Sequence, residues 1–356
     1  MFLPPRRQPS GLFRRWKSFR VRNRYLTPRR IFNYFLVHAE MKLGRTRLRS
    51  RPYRLCVDVT NRCNLGCPFC PTGRKEAGRP PGDMDFSLFR EIVDELAPYV
   101  MSVELFNWGE PFFHRGLADF VAYANSRRIV TLVSSNLSFR LREETARRLV
   151  ESGLTYLTAS VDGADQRSYE VYRRGGKFPL VLENLRLFVR LKHELGTDFP
   201  RLWWQYLVFA HNEGRVEEAR RLATELGLDA FSAMGGIYED PAWAPSREYD
   251  LPFLELDENR CRWLWTKAVF HWDGGMASCC MGFYAHDDFG VWRRGNFGRL
   301  WNNEKFVRAR RIWTEPDSPL PESHFCTACD KVRLYRGLPL ASPMSRARES
   351  RKVAAA

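Results

Sequence analysis

Residues 55–71 read LCVDVTNRCNLGCPFCP, an apolar run followed by a loop with three cysteines. Cys63, Cys67 and Cys70 form the pattern C-x3-C-x2-C. Three thiolates are too few to close a tetrahedral metal site. A 4Fe-4S cluster usually takes four protein thiolates, one per iron, so a compact loop of three leaves one iron free to bind another molecule. The spacing therefore predicts a cluster with one reactive iron.

Three other roles for these thiols stay open at this point: a zinc knuckle, a disulfide pair, and packing alone. Structural zinc sites usually pair two short Cys or Cys/His arms across a longer insert, and no histidine lies nearby to complete this one. Disulfides need an oxidising compartment, and nothing at the N-terminus indicates export. The spacing favours an iron–sulfur loop over these alternatives.

Strand-like and helix-like stretches alternate after the apolar run. Strands are predicted at residues 55–60, 101–107, 130–135, 156–160, 202–209 and 231–234, and helices at 116–127, 142–152, 180–195 and 216–226. This alternation predicts an α/β fold with a parallel sheet, whose functional loops follow the carboxyl ends of the strands. Six strands are too few for a full eight-fold barrel.

The charge of the chain is concentrated at its two ends. The net charge is +16; residues 1–51 account for +14, residues 331–356 for +6, and residues 52–330 for −4. A basic arm can bind RNA, anionic lipid or an acidic peptide, and a merely solubilising arm is the alternative. Within it, residues 31–37 predict a short amphipathic helix that docks on the body or on a membrane surface. No run approaches the roughly 20 apolar residues needed to span a bilayer.

The cysteine loop after an apolar strand resembles the radical S-adenosylmethionine (SAM) superfamily, over roughly residues 52–330. The resemblance implies a partial (β/α)6 TIM-like barrel. It also implies that Cys63, Cys67 and Cys70 hold the catalytic 4Fe-4S cluster and that the amino and carboxylate groups of SAM chelate the free iron. An electron from the cluster then cleaves SAM to methionine and a 5'-deoxyadenosyl radical, which abstracts a hydrogen from the substrate.

Two further stretches resemble the motifs that hold SAM in this family. Asn107-Trp108-Gly109-Glu110-Pro111 resembles a Gly-Gly-Glu-Pro turn that receives the amino group of SAM, with Trp108 in place of the first glycine. A carboxylate such as Glu110 suits an ammonium, which presents donors only. Ser160-Val161-Asp162-Gly163 resembles the Ser-x-Asp-Gly stretch that lines the SAM pocket.

The remaining predicted SAM contacts follow from these positions. Ser160 and Arg173 are candidates for the carboxylate of SAM, because a guanidinium matches a carboxylate bidentately. Asn136 ends the third predicted strand and Gln205 lies on the fifth, and both are predicted to contact the ribose or to order the pocket. Each of these polar side chains could instead cap a helix or satisfy a strand end.

A second cysteine set lies near the C-terminus. Cys261, Cys279, Cys326 and Cys329 supply four thiols, and Cys280 is a spare beside Cys279. The arrangement resembles the SPASM or twitch extension of radical SAM enzymes, which implies one auxiliary 4Fe-4S cluster. Four thiols in two arms also satisfy zinc, so a zinc ribbon stays open. Cys279 is favoured over Cys280 as the ligand.

These observations predict five regions in the chain. Residues 1–51 form the basic arm with a short amphipathic helix, 52–236 the radical SAM core barrel, 237–260 a proline-marked linker, 261–330 a small C-terminal iron–sulfur extension, and 331–356 a basic tail.

The resemblance then predicts the reaction class. A fully ligated auxiliary cluster favours electron acceptance, so we expect hydrogen abstraction followed by oxidation of a peptide, protein or sugar-like small molecule. The partner that supplies electrons is expected to be a flavodoxin or ferredoxin. Nine cysteines, two groups of them tightly spaced, predict a reducing cytoplasm where thiols bind metals. Two alternatives stay open: an RNA-modifying enzyme that uses the basic arms, and a non-catalytic metal-binding scaffold.

Overall fold

The computed structural model of the chain describes residues 25–247, 249, 256–257, 260–320 and 324–338. Within these residues, six strands lie side by side in chain order, and all neighbouring pairs are parallel. They are β1 (Arg54–Val57), β2 (Ser102–Glu104), β3 (Val130–Ser135), β4 (Tyr156–Ser160), β5 (Arg201–Val208) and β6 (Ala230–Gly235). The sheet is not closed, and it confirms the predicted α/β fold with a partial (β/α)6 barrel.

Helices connect successive strands. The N-terminal part and the barrel contain α1 (Pro28–Lys42), α2 (Phe86–Leu96), α3 (Leu117–Ser126), α4 (Glu143–Glu151), α5 (Gln166–Tyr172), α6 (Phe178–Glu194) and α7 (Val216–Glu225). The sequence pattern identifies α3, α4, α6 and α7 within two residues at each end. It misses α2 and α5, which begin at the capping residues Asp85 and Asp165.

The C-terminal part extends the barrel sheet. β9 (Lys267–Phe270) is parallel to β1, and β10 (Gly275–Ala277) and β11 (Gly290–Val291) add antiparallel strands, so the sheet of the described residues has nine strands. Shorter elements are β7 (Leu256–Asp257), β8 (Arg260–Cys261), α8 (Trp263–Thr266), α9 (Phe297–Leu300), α10 (Glu304–Thr314) and α11 (Asp330–Tyr335). The auxiliary region therefore lies directly against the strand that leads into the cysteine loop.

The two faces of the sheet differ in burial. In β5, Leu202, Trp204, Tyr206 and Val208 are fully buried, whereas the alternate side chains are half-buried. Parallel neighbours in register point to the same face. Ser160 pairs with Gln205, so these two predicted SAM contacts share the half-buried face.

Some predictions fall outside the described residues. These are residues 1–24 of the basic arm, residues 248, 250–255 and 258–259 of the linker, and residues 339–356 of the basic tail. The predicted helix at 31–37 is longer and runs over Pro28–Lys42. Across the part of the chain that the structure covers, no helix combines the length and apolar character needed to traverse a membrane.

Candidate active site

The first cysteine loop follows β1 at the carboxyl edge of the sheet. Cys67 is buried, and Cys63 and Cys70 are half-buried. The loop turns tightly, with the Cys70 N–H donating to the Cys67 carbonyl (3.2 Å). A Cβ at Gly73 would lie 2.5 Å from the Cys67 carbonyl oxygen, so only glycine allows this approach. The three thiols are thus gathered in one compact turn.

Burial controls the protonation of these thiols. It raises the pKa of Cys63 to about 12 and raises that of Cys67, and the neighbouring thiols add to both shifts. Arg173 opposes the shift at Cys67 through its charge and a hydrogen bond. Metal binding requires thiolates, so a positively charged metal centre supplies the compensation that the buried thiols lack. The donor set therefore fits an iron–sulfur cluster.

The structure does not hold the thiols around a single point. Among the described residues, no three Cys, His, Asp or Glu side chains are arranged to hold one metal ion. In a four-iron cluster each thiolate contacts a different iron. Its ligands therefore stand further apart than the ligands of a lone ion.

An aromatic cluster surrounds the cysteine loop. The Phe69 ring lies 5.0 Å from Trp243 and 6.3 Å from Tyr172, and Tyr172 lies 4.5 Å from Phe209, measured between ring centroids. Cys67 packs in the same apolar cluster. These side chains shield the thiols from water. Sequence reasoning missed this set because Trp243 comes from the predicted linker, far from the loop in sequence.

Glu110 lies in the turn after β2 and is almost fully buried. Its carboxylate accepts hydrogen bonds from the backbone N–H of Asn136 (2.8 Å) and of Phe112 (3.3 Å). Burial raises the pKa of Glu110 to about 7, although these hydrogen bonds oppose the shift. A Cβ at Gly109 would lie 1.8 Å from the Thr60 carbonyl oxygen, which fixes glycine before the acid. A buried carboxyl group of this kind can pair with a cation.

Asn136 links the turn of Glu110 to the cysteine loop. Its side-chain amide donates to the Asn64 Oδ1 (3.0 Å) and lies 3.8 Å from the Cys63 sulfur. Its own Oδ1 accepts from the Ser138 backbone N–H (2.7 Å). Asn136 therefore lies between the first cysteine and the acid and contacts both segments.

Ser160 and Gln205 lie side by side on the half-buried face. The hydroxyls of Ser160 and Ser134 share a hydrogen bond of 3.1 Å. The side-chain amide of Gln205 makes no hydrogen bond to another residue of the described ranges. Such side chains at the carboxyl edge of parallel strands can bind a polar ligand.

Arg173 does not point freely into the pocket. Its Nε donates to the Asp162 Oδ2 (2.5 Å), and Asp162 is completely buried and also accepts from the Leu207 N–H (2.6 Å). The charge of Asp162 raises the pKa of Arg173 against the effect of burial. Asp162 is a functional residue that sequence reasoning missed, although it lies within the Ser-x-Asp-Gly stretch. It fixes the Arg173 guanidinium beside Cys67.

Asp58 is a second missed residue. It follows β1 and is buried, and its carboxylate accepts long hydrogen bonds from the backbone N–H groups of Trp108 (3.3 Å) and Gly109 (3.4 Å). The Trp108 indole in turn donates to the Gly282 carbonyl (3.2 Å) in the C-terminal part. The Trp that departs from the family pattern thus joins the turn of Glu110 to the auxiliary region. An acid at the carboxyl end of a parallel strand was the available signal.

The second cysteine set is gathered in the C-terminal part. Burial raises the pKa of Cys261 to about 12 and that of Cys279 to about 11, and the charge of Cys329 raises both further. The pKa of Cys326 is also raised by burial and then by the charges of the other three thiols. Charges act in this way between sulfurs that lie near one another. Cys326 is buried, Cys261 and Cys279 are half-buried and Cys329 is exposed, and their clustering fits a metal cluster that takes them as thiolates.

Cys279 and Cys280 pack against the same apolar cluster as Cys261. Burial raises the pKa of Cys280, and the charges of Cys279, Lys267 and Glu104 also act on it. Lys267 donates to both Glu104 oxygens (3.0 Å each) on the barrel side of β9. The charge of Cys279 is the first that raises the pKa of Cys326, and that of Cys280 is not among those that act on it. Cys279 stays the predicted fourth member of the set.

Comparisons with known proteins match both halves of this site. The profile of the radical SAM superfamily matches residues 57–200, and a SPASM profile, described as an iron–sulfur cluster-binding domain, matches residues 261–330. The first match includes the C-x3-C-x2-C loop and the second includes all four thiols of the second set. The zinc alternatives considered for the two sets are therefore set aside.

Individual relatives extend over most of the chain. The tungsten-containing aldehyde ferredoxin oxidoreductase cofactor-modifying protein of Pyrococcus furiosus is 24% identical over 298 residues, 72% of this chain and 83% of that protein. The mycofactocin maturase MftC of Mycolicibacterium smegmatis is 23% identical over 335 residues, 82% of this chain and 81% of that protein. The solved structure of Streptococcus suis SuiB bound to S-adenosylmethionine has a TM-score of 0.60 at 16% identity, covering 77% of this chain and 70% of that one.

The cofactors follow from the two matched domains. They are SAM, a catalytic 4Fe-4S cluster and an auxiliary iron–sulfur cluster, as the family resemblance implies. The shared fold with SuiB agrees with the open parallel sheet described above. The chain belongs to the radical SAM superfamily and carries a C-terminal SPASM-type iron–sulfur domain.

Proposed function

We propose that this enzyme oxidises a C–H position of a peptide or of a cofactor precursor. When bound, the catalytic cluster supplies reductive cleavage of SAM to a hydrogen-abstracting radical, and the auxiliary cluster takes up the electron that the substrate gives up. The substrate loses one hydrogen atom to the radical, then one electron and one proton, so it leaves oxidised by two electrons.

One observation carries the proposal: two of the auxiliary thiols flank a hairpin that belongs to the same sheet as the strand leading into the catalytic loop. β9 is hydrogen-bonded to β1, and Cys261 and Cys279 lie on either side of the β9–β10 hairpin. The Trp108 indole bridges the turn of Glu110 to Gly282, three residues after Cys279. A substrate at the mouth of the barrel would therefore lie between the two cluster sites. The radical derived from SAM at the first site would take its hydrogen, and the auxiliary cluster at the second would take its electron.

The residues of the first site divide the work of holding the cofactor. Cys63, Cys67 and Cys70 are assigned to the catalytic cluster, and the surrounding aromatic rings exclude water. Glu110 is assigned to the ammonium of SAM, because a buried carboxylate regains favourable interactions when a cation pairs with it. Arg173, held by Asp162, is assigned to the carboxylate of SAM.

The polar residues of the barrel face complete the first site. Ser160 is assigned to the carboxylate of SAM beside Arg173, and Gln205 to its ribose. Asn136 orders the pocket from the side of Cys63. Support for these assignments comes from the shared half-buried face of Ser160 and Gln205 and from the contacts of Asn136 described above.

The substrate class is supported by the named relatives. One of them is a maturase and another a cofactor-modifying protein, and each is matched over more than four-fifths of its length. A flavodoxin or ferredoxin is the proposed electron donor. We place the reaction in the cytoplasm, because iron–sulfur thiols need a reducing compartment. The proposed regions of the chain are the core barrel at 52–236 and the auxiliary domain at 261–330.

Iron and sulfide quantification on anaerobically reconstituted protein tests the cluster assignment. Wild type should bind about eight irons per chain, and the Cys63/Cys67/Cys70→Ala variant about four, from one thiolate per iron. The variant Cys279→Ser should lose the auxiliary cluster, and the matched variant Cys280→Ser should retain it. Equal iron in wild type and in the triple variant would contradict the assignment.

A second experiment tests the reaction. Protein with reductant and SAM should release 5'-deoxyadenosine, and a turned-over substrate should be lighter by two hydrogen atoms. Release by wild type and none by the triple variant excludes a metal-binding scaffold. A product of unchanged oxidation state would refute the role of the auxiliary cluster as an electron acceptor. Turnover on RNA with no turnover on peptide would favour the RNA-modifying alternative.

A further inference from the structure

Helix α1 departs from the pattern of an ordinary surface helix. It buries Val37 and Met41 in the core together with the polar side chains of Arg30, Asn33 and Glu40, whereas Phe32 and Phe35 are 69% and 65% exposed. Surface helices usually turn an apolar stripe toward the core and polar residues toward water. This helix buries charge and exposes aromatic rings.

Polar anchors explain how the helix holds this orientation. The Arg30 guanidinium donates to the carbonyls of Tyr25 (2.7 Å), Ala97 (2.8 Å) and Arg127 (2.9 Å). The Asn33 side-chain amide donates to the Arg51 carbonyl (2.8 Å), and the Arg51 backbone N–H donates to the Asn33 Oδ1 (2.9 Å).

Glu40 fixes the second half of the helix. Its carboxylate accepts from the backbone N–H groups of Arg49 (2.8 Å) and Ser50 (3.1 Å) and from the Ser50 hydroxyl (2.5 Å). Breaking buried networks of this kind is costly. The helix is therefore fixed on the body with the rings of Phe32 and Phe35 facing outward.

The exposed side forms one continuous strip. Phe32, Phe35, Ala39 and Leu43 follow one another at spacings of three and four residues, which places them on one face of the helix. Leu43 is 71% exposed, and Ile31 beside the strip is 40% exposed. Five of the ten large hydrophobic side chains that are exposed in the described residues lie within residues 26–43. Exposed apolar residues are usually scattered, so this concentration marks an interaction surface.

The surroundings of the strip are basic. Residues 25–51 contain seven Lys/Arg and a single acid, Glu40, whose carboxylate is buried and hydrogen-bonded. The side chains of Lys42, Arg45 and Arg49 are exposed and make no ion pair with any residue in the described ranges. The surface thus combines aromatic and aliphatic side chains with unpaired positive charge.

We propose that this strip docks the enzyme on an anionic phospholipid surface, with α1 lying in the plane of the interface. Apolar side chains that enter the headgroup boundary and cations that meet anionic headgroups are the combination typical of interfacial helices. Phe32, Phe35 and Leu43 enter the boundary, and Lys42, Arg45 and Arg49 contact the headgroups. Docking places the active site at the membrane surface.

The positive charge around the strip argues against other partners that could cover it. Residues 1–24 carry eight Lys/Arg and no acid, so they would bring like charge onto a basic surface. A second copy of the chain would do the same with its own basic arm. RNA matches the charge, but a convex helix with a strip of aliphatic and aromatic residues lacks the groove that tracks a nucleic-acid backbone. An anionic bilayer satisfies both the apolar and the basic side chains.

Vesicle binding tests the proposal on the full reconstituted chain. The protein is sedimented with vesicles of phosphatidylcholine mixed with phosphatidylglycerol and with vesicles of phosphatidylcholine alone. Binding should require the anionic lipid and weaken with salt. The variant Phe32→Ser/Phe35→Ser should bind at least about tenfold more weakly, because two exposed rings no longer enter the bilayer. Val291→Ser, which removes an exposed apolar side chain from β11, should bind like wild type.

A charge series completes the experiment. Lys42→Gln/Arg45→Gln/Arg49→Gln should weaken binding about a hundredfold, from the contribution of each cation near an anionic surface. The matched variant Arg140→Gln/Arg142→Gln/Arg186→Gln removes the same charge elsewhere and should bind like wild type. Iron content and thermal unfolding temperature should stay unchanged in all four variants, which separates this result from failure of the proposed function.

Four outcomes would overturn the proposal. The first is equal binding to neutral and anionic vesicles. The second is vesicle binding that the Phe32→Ser/Phe35→Ser variant retains; if the unfolding temperature of that variant also falls, the strip is covered by the chain itself. The third is a dimer that this variant dissociates, and the fourth is an RNA complex that depends on the two rings and forms in place of a vesicle complex.

Discussion

Glu110 offers the sharpest test of how the SAM site is prepared. Glu110 is 2% exposed, its carboxylate accepts two backbone hydrogen bonds, and burial raises its pKa from the ordinary value of 4.5 to about 7. One unit of pKa corresponds to about 1.4 kcal/mol. Ionising Glu110 in the folded metal-free chain therefore costs about 3 kcal/mol more than in the unfolded chain.

The direction of the pH dependence follows from this raised pKa. Below pH 4.5, the Glu110 carboxyl is protonated in both states, and its ionisation does not weaken the fold. Between about pH 4.5 and 7 the unfolded chain releases this proton first, so the folded state loses stability as the pH rises. Above about pH 7 the loss is complete. A cation that pairs with Glu110, such as the ammonium of SAM, offsets this cost, so SAM binding should tighten over the same pH range.

Urea unfolding of metal-free wild type and Glu110→Gln across this range measures the effect. The free energy of unfolding of wild type minus that of the variant should fall by about 3 kcal/mol between pH 4.5 and 7. Glu225→Gln removes an exposed carboxylate and controls for the change in net charge. A difference that is flat with pH, or that rises, would refute the argument that burial dominates at Glu110.

Three further substitutions test the supports of the site. Gly109→Ala should weaken SAM binding at least about tenfold in calorimetry, because its Cβ would meet the Thr60 carbonyl and displace the turn; unchanged binding would contradict this. Asp162→Asn leaves Arg173 without its charged partner and should lower the free energy of unfolding by about 3 kcal/mol in urea. Trp204→Ala removes a fully buried ring and should lower the free energy of unfolding by about 3–5 kcal/mol in the same assay. A decrease no larger than that of an ordinary surface substitution would show that the core closes over the space left by the ring.

Much of the fold could be predicted because its signals are local. Each barrel strand is a short apolar or alternating run, and α3, α4, α6 and α7 carry apolar residues at helical spacing. Helix α2 was missed although Phe89, Ile92, Val93 and Leu96 recur at helical spacing after the capping residue Asp85, whereas α5, which begins after Asp165, has only seven residues and too few turns for a clear periodic pattern. The three added strands β9, β10 and β11 could not be assigned to the barrel sheet, because β9 pairs with β1 across more than two hundred residues.

Some residues of the candidate site could also be predicted from the sequence, and others could not. The cysteine spacing and the turn of Glu110 are contiguous in sequence, so their residues could be named at once. The aromatic cluster around the thiols could not, since Phe69, Tyr172, Phe209 and Trp243 meet only when four separate segments pack together. Spacing by itself also does not reveal that Arg173 is already paired with Asp162.

The sequence by itself determined which atoms are available for the chemistry: seven clustered thiols, a carboxylate after a glycine, and an alternating chain that forms a parallel sheet. These features depend on covalent spacing and local periodicity, which neighbours along the chain set. Only the tertiary structure decided what surrounds Glu110, that Arg173 is paired with Asp162, and that α1 turns its aromatic rings outward. Burial, charge pairing and the orientation of a helix depend on contacts between distant segments, and a linear pattern does not contain them.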